Sequence, residues 1–254
     1  MKMRSLLIGA AVVLLGIISA GPVVGALPSL GPLTSYDTSY TIIKVRTADN
    51  GVTPVIIGSS YEGTVIAMDY EGTMLWTNAL SGYMNHDLWC ADVTGDGVDE
   101  ILAANADGSV YCLNASGRLL WQFKPDHSGH EPPMYSVCTI RADDQVTYVV
   151  CGGFDTRLYY LTPSGGLVKS IQSTSYATQN LWYEPWGNAH LPNFIRPVHR
   201  SDGTQDLAVV GSIVQIGAWC RTYLFEPLAD HPFQIGGPTV EGEMGDFRAV
   251  DLDG

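Results

Sequence analysis

From about residue 40 onward the chain is a succession of short apolar runs, each closed by Gly, Asp, Asn or Ser. Ile101-Leu102-Ala103-Ala104 and Val110-Tyr111-Cys112-Leu113 are apolar without interruption, the pattern of short strands covered on both faces. The runs recur. Asp107-Gly108-Ser109-Val110-Tyr111-Cys112-Leu113-Asn114-Ala115-Ser116-Gly117-Arg118-Leu119-Leu120-Trp121 is matched without a gap by residues 62–76, ending at Trp76, and by residues 155–169. The offsets are 45 and 48 residues, and the same register aligns Cys90 with Cys138 and Ile101 with Val149.

A repeat of that length, made only of short strands, predicts propeller blades. The expected fold is all-β: a β-propeller of four-stranded antiparallel blades spanning about residues 40–80, 86–125, 134–173 and 193–236. The start of a fifth blade is read at 246–254. Gly72, Gly117 and Gly165 share one repeat position, where a hairpin needs φ > 0. Trp76 and Trp121 share another, and each is expected to cover its blade and pack on the neighbour.

Three segments break the repeat. Residues 1–26 carry Lys2 and Arg4 before the apolar run Leu6–Ile18 and end in Val24-Gly25-Ala26, which reads as a secretory signal peptide. Residues 27–39 read as a Pro/Gly/Ser linker. Residues 174–192 form an insertion whose Trp182, Tyr183 and Trp186, flanked by Asn180, Glu184 and Asn188, are candidate platforms for a sugar or a protein. The chain stops at Asp251-Leu252-Asp253-Gly254, part-way through an acidic, glycine-containing loop. A piece of a longer protein, an open arc of a larger ring, is therefore expected.

Composition narrows the function. A formal charge of −13 without any basic stripe argues against a nucleic-acid partner. Five cysteines without a CxxC pair argue against a zinc ribbon, and as small residues in apolar strands they need no further role. Asn114-Ala115-Ser116 is a glycosylation sequon at a turn.

The candidate chemistry lies in Asp92-Val93-Thr94-Gly95-Asp96-Gly97-Val98-Asp99-Glu100. Oxygen donors fall at Asp92, Thr94, Asp96, the carbonyl of Val98, and Glu100, while Gly95 and Gly97 allow the loop to curl. That set suits a hard cation such as Ca²⁺. Asp99 is expected to brace the turn. The loop resembles that of FG-GAP repeats, the blades of integrin-α-like propellers, with Thr94 where that family more often has Asp or Asn. The resemblance implies structural Ca²⁺ between two strands, with Asp251 and Asp253 opening a second, incomplete loop. The run from Asp107 to Trp121 resembles the PQQ-like, quinoprotein-type propeller repeat. That likeness speaks for the fold, since the acidic and metal-binding residues of quinone-cofactor dehydrogenases are not found, and PQQ is not expected.

No nucleophile elbow, phosphate loop or dinucleotide fingerprint occurs, and no catalytic residue is assigned. His86 reads as a loop histidine, and Asp126-His127-Ser128-Gly129-His130-Glu131 as a solvated loop between blades, the other reading being a place at the propeller mouth as metal ligand or general base. The expectation is an exported, Ca²⁺-stabilised propeller without a membrane span after signal cleavage, a non-enzymatic adhesion or binding module for extracellular polysaccharide or protein. The alternative is an enzyme on the same scaffold, a quinoprotein-type oxidoreductase or a polysaccharide lyase. A convergent acidic and basic cluster in the propeller mouth would favour the enzyme.

Overall fold

The computed structural model describes residues 35–142, 146–173, 191–212, 219–235 and 240–241. Thr38–Gly254 forms one compact unit. Among the described residues there is no α-helix, only a succession of antiparallel sheets. The first holds β1 (Ile42–Asp49), β2 (Pro54–Ser60), β3 (Val65–Met68) and β4 (Met74–Asn78). The second holds β5 (Asn85–Ala91), β6 (Glu100–Asn105), β7 (Val110–Leu113) and β8 (Leu119–Phe123). The third holds β9 (Met134–Arg141), β10 (Thr147–Gly153), β11 (Arg157–Leu161) and β12 (Leu167–Gln172). The fourth pairs β13 (Leu191–His199), β14 (Gln205–Ser212) and β15 (Trp219–Phe225), with β16 (Gln234–Ile235) and β17 (Val240–Glu241) both on β15. These are propeller blades, each a meander with its strands in chain order.

The middle strands are apolar on both faces because each blade is covered by its neighbours. Ile57, Val65, Leu88, Ile101 and Leu113 form the core between blades one and two. Leu102, Cys112, Val149 and Tyr159 do so between two and three, and Ile140, Leu158, Ile195 and Tyr223 between three and four. The innermost strands meet around an axis, β5 lying against β1 and β9, and β9 against β13. The outermost strands β4 and β8 show the half-exposed alternation of an edge.

A bulge in each outermost pairing, beside Leu75 in β4 and Leu120 in β8, turns the following Trp towards the next blade. Trp76 Nε1 donates to the Ala115 carbonyl at 2.8 Å and Trp121 Nε1 to that of Pro163 at 2.8 Å. Each indole lies on the hairpin glycine of that next blade, Gly117 or Gly165, whose φ of 78° and 84° leaves the hairpin flat where the ring sits. In blade three the tryptophan position is taken by Lys169. Its ammonium donates to the Leu228 carbonyl at 2.5 Å and pairs with Asp230 at 2.7 Å, a polar seam in place of an aromatic one.

Ile42 pairs with Ser60, so the starts of the inner strands lie at the same end as the turns 60–64, 105–109 and 153–157. The chain segments joining one blade to the next reach this end too. We call it the mouth. The turns after β1, β5, β9 and β13, and the Gly117 and Gly165 hairpins, lie at the other end.

Candidate functional site: the axial mouth

All four inner strands carry a β-bulge near their start. The residue left out of the ladder is Ile43 in β1, His86 in β5, Tyr135 in β9 and Asn193 in β13. A bulge re-aims a side chain that a regular ladder would send onto a neighbouring sheet. Here His86 and Tyr135 meet edge to face, with ring centroids 4.9 Å apart and planes at 89°. Tyr135 in turn meets Phe154, from the turn after β10, at 6.3 Å and 83°. Phe154 is 44% exposed. The result is an aromatic step at the mouth, part buried and part open to solvent. Burial lowers the pKa of His86, the positive charge of Lys44 on β1 lowers it further, and Asp87 opposes both. The imidazole is therefore neutral at neutral pH, able to donate from one nitrogen and accept at the other. Burial also raises the pKa of the Tyr135 hydroxyl, which stays a donor.

One residue further along the inner strands lies a buried ionic hub. Asp87 is 2% exposed and Arg196 5%. Arg196 grips Asp87 with two nitrogens, at 2.8 and 3.1 Å. Arg46 approaches the same carboxylate at 3.5 Å, Ser136 Oγ donates to it at 2.9 Å, and the Val137 amide at 3.2 Å. Arg196 also donates to Ser136 Oγ and to the Ile195 carbonyl, and its guanidinium lies 5.6 Å from the Trp89 ring. The hub ties β1, β5, β9 and β13 together. An acidic and basic cluster does converge on the axis, but its groups are spent on each other, with Asp87 and Arg196 almost wholly buried. It positions the mouth; it is not placed to react with a substrate. Around the mouth the inner strands carry three cations, Lys44, Arg46 and Arg196, against the single carboxylate of Asp87. The turns at the same end add the carboxylates of Glu62, Asp107 and Asp155, so the surplus of cations is confined to the inner strands beside Lys44.

A second layer lies on β7 and β11. Tyr111 donates to Asp107 at 2.6 Å and accepts from Gln122 at 3.1 Å. At the equivalent place in blade three, Tyr159 donates to Asp155. Ser170 occupies the place of Gln122 there, and His127 arrives from the inter-blade loop with Nε2 3.1 Å from Asp155 Oδ2. The nitrogen is not aligned to hydrogen-bond and is buried without a partner. His127 thus lies at the mouth, the second of the two placements this loop allowed. His130 is exposed, and Glu131 pairs with Lys124 at 2.7 Å.

The acidic loop lies at the opposite end, between β5 and β6. Its carboxylates turn inward on the loop's own amides. Asp92 accepts from Gly95 at 2.6 Å, Asp96 at 3.1 Å and Gly97 at 2.9 Å. Asp96 accepts from Val98 at 2.9 Å. Glu100 accepts from Val93 at 3.0 Å and Thr94 at 3.1 Å. Burial raises the Glu100 pKa, the two amides oppose this, and Asp96 and Asp92 add to it. Asp99 braces the neighbouring blade: its amide donates to the Asp49 carbonyl at 2.8 Å and its carboxylate accepts from the Asp49 amide at 2.7 Å. Among the described residues no three His, Cys, Asp or Glu side chains come together as a metal centre would require. Asp92, Thr94, Asp96, Val98 and Glu100 all line this loop, and its carboxylates hold it curled through its own amides. Asp251, Asp253, Trp182, Tyr183 and Trp186 lie outside the described residues, as does the signal segment. The insertion joins the end of β12 to the start of β13, and both of those points are at the mouth.

Sequence reasoning missed Tyr135, Phe154 and the Asp87–Arg196 hub. A signal did exist: Asp87 and Arg196 are single charges inside otherwise apolar strands, the kind of residue that is buried only when paired.

The family model of the lambda-carrageenase beta-propeller domain matches residues 55–254. The chain belongs to this family. Lambda-carrageenases of Pseudoalteromonas carrageenovora and of another Pseudoalteromonas are each 44% identical to it over 228 residues, covering 89% of this chain and 24% of theirs. The chain thus spans about a quarter of the length of these curated relatives. Among solved structures, the Dos1 propeller superposes with a TM-score of 0.56 at 12% identity, covering 80% of this chain and 49% of that one. Chaetomium thermophilum Raptor gives 0.53 at 10%, covering 80% and 17%. These two likenesses concern the fold alone.

Proposed function

We propose that this chain is the propeller of an exported carrageenan-processing protein, and that the axial mouth holds the polysaccharide. The observation that carries the reading is the bulge-aimed step of His86, Tyr135 and Phe154. Flat ring faces and edges match the C–H surface of a pyranose, and the neutral imidazole and the phenol supply hydrogen bonds to its hydroxyls. Lambda-carrageenan is a sulfated galactan. A chain of net charge −13 repels such a polyanion at long range, so binding needs the local surplus of cations around Lys44. The acidic loop, at the far end, has no part in this grip. The test is affinity electrophoresis through gels containing lambda-carrageenan or an unsulfated galactan. Retardation in the first is expected, with Tyr135→Ala and Phe154→Ala each weakening it by roughly tenfold, about 1.4 kcal/mol. Equal mobility of wild type and both variants would rule out the mouth as the binding site.

A second reading, depolymerisation at the same mouth, is favoured by the 44% identity to lambda-carrageenases. Glycoside hydrolysis ordinarily uses two carboxyl groups flanking the bond, and the mouth carries Asp107 and Asp155 on adjacent blades, each already engaged by a tyrosine. New reducing ends released from lambda-carrageenan by the chain, and lost in Asp155→Asn, would support this reading. Binding without release would restrict the chain to recognition.

A further inference from the structure

At the aromatic step of the mouth, His86 is the side chain able to gain a proton within reach of a bound chain. His86 is the bulged residue of β5. The charged and titratable groups around it are Lys44 from β1, Asp87 from its own strand and the Tyr135 phenol from β9. Asp87 is taken: Arg196 holds both of its oxygens, and Arg46 and Ser136 approach them as well. The carboxylate that would ordinarily keep a neighbouring imidazole charged is thus largely neutralised, while Lys44 and burial act against the charge.

We infer that the mouth binds its anionic sugar together with a proton, taken up by His86, so that sulfate-bearing ligands bind more tightly as the pH falls while neutral galactans do not. The inference rests on the mouth being the polysaccharide site. An anionic group placed beside Lys44 and His86 supplies the opposite charge that the free mouth lacks. It favours the imidazolium. By linkage, protonating His86 must strengthen anion binding by the same factor. No bond is made or broken; one proton moves from solvent to the imidazole. The electrostatic design gives the site a discrimination that stacking on Tyr135 and Phe154 cannot, since both galactans present the same ring faces.

The experiment follows the His86 imidazole resonances against pH in the wild-type chain, alone, with lambda-carrageenan oligosaccharides and with a neutral galactan oligosaccharide. Calorimetry in two buffers of different ionisation enthalpy counts protons taken up on binding. The His86 titration midpoint is expected to rise by about one unit with the sulfated ligand only, matched by roughly fivefold tighter binding at pH 5.5 than at pH 8. In His86→Gln the ratio of dissociation constants between those pH values should collapse to what the remaining groups, His127 and the carboxylates, produce, whatever the absolute affinity. A midpoint unmoved by a sulfated ligand that binds would overturn the inference and leave the binding site standing. An equal shift with the neutral ligand would overturn it as well. No binding of either ligand at any pH would overturn both the inference and the reading it rests on.

Discussion

Gly117 links the sequence repeat to the stability of the propeller, and its substitution by alanine has a cost that can be worked out in parts. Its φ of 78° is left-handed, which costs any alanine about 1–2 kcal/mol. A Cβ there would also fall 2.5 Å from Cδ2 and Cε3 of Trp76. No carbon pair sits that close, so the indole must withdraw. Withdrawal breaks the 2.8 Å bond from Trp76 Nε1 to the Ala115 carbonyl, about 0.5–1.5 kcal/mol, and exposes part of the ring face. The two parts sum to roughly 1.5–3.5 kcal/mol, before the exposed ring face is counted. Gly95 is the control: its φ is 81°, but an added Cβ meets nothing within 4 Å, so Gly95→Ala should cost only the backbone part. Urea unfolding of the two variants should therefore differ by at least about 0.5–1.5 kcal/mol. The excess should vanish in a Trp76→Ala background, since the clash has then been removed. Equal costs for Gly117→Ala and Gly95→Ala, or full additivity with Trp76→Ala, would refute the docked indole.

The buried hub predicts that Arg196→Ala destabilises by about 3–5 kcal/mol by leaving Asp87 unpaired, and that the double change with Asp87→Ala costs much less than the sum; urea midpoints of the three variants decide it. The self-satisfied acidic loop predicts that Asp92→Ala lowers stability by about 1–2 kcal/mol through three freed amides, and that EGTA leaves the melting temperature of the wild type unchanged. A fall in EGTA that is abolished in Asp96→Ala would instead establish the calcium reading. Burial pushes the thiols of Cys90 and Cys112 up to about 12 and raises those of Cys138 and Cys151 as well. Native protein at pH 8 should thus give up no more than one of its five thiols to a disulfide reagent, and all five in guanidinium; rapid reaction of two or more would contradict the buried placement of these strands.

The repeat was legible because propeller blades reuse the same local chemistry. A hairpin glycine and a tryptophan at fixed spacing gave the blade boundaries, and the contact they make with one another fits that spacing. The third copy was less transparent: Lys169 stands where the tryptophan should, and only the fold shows that it reaches Leu228 and Asp230. The mouth was harder still. A bulge is a matter of backbone register, and nothing in Asn85-His86-Asp87 announces that His86 leaves the ladder. The Asp87–Arg196 pair spans 109 residues, beyond the reach of any local pattern. The acidic loop shows the reverse difficulty. Its donor spacing fits a cation, but the same carboxylates can fold back on the amides that its glycines expose, and spacing alone does not distinguish the two.

Hydrogen–deuterium exchange of the chain, with and without lambda-carrageenan oligosaccharides, tests the polysaccharide site itself. Protection is expected at the mouth, in residues 83–88, 134–137 and 153–156, with the far-end segments 92–100 and 114–118 unchanged. Protection confined to the far end, or binding that leaves the mouth segments exchanging as before, would contradict the claim that the axial mouth holds the polysaccharide.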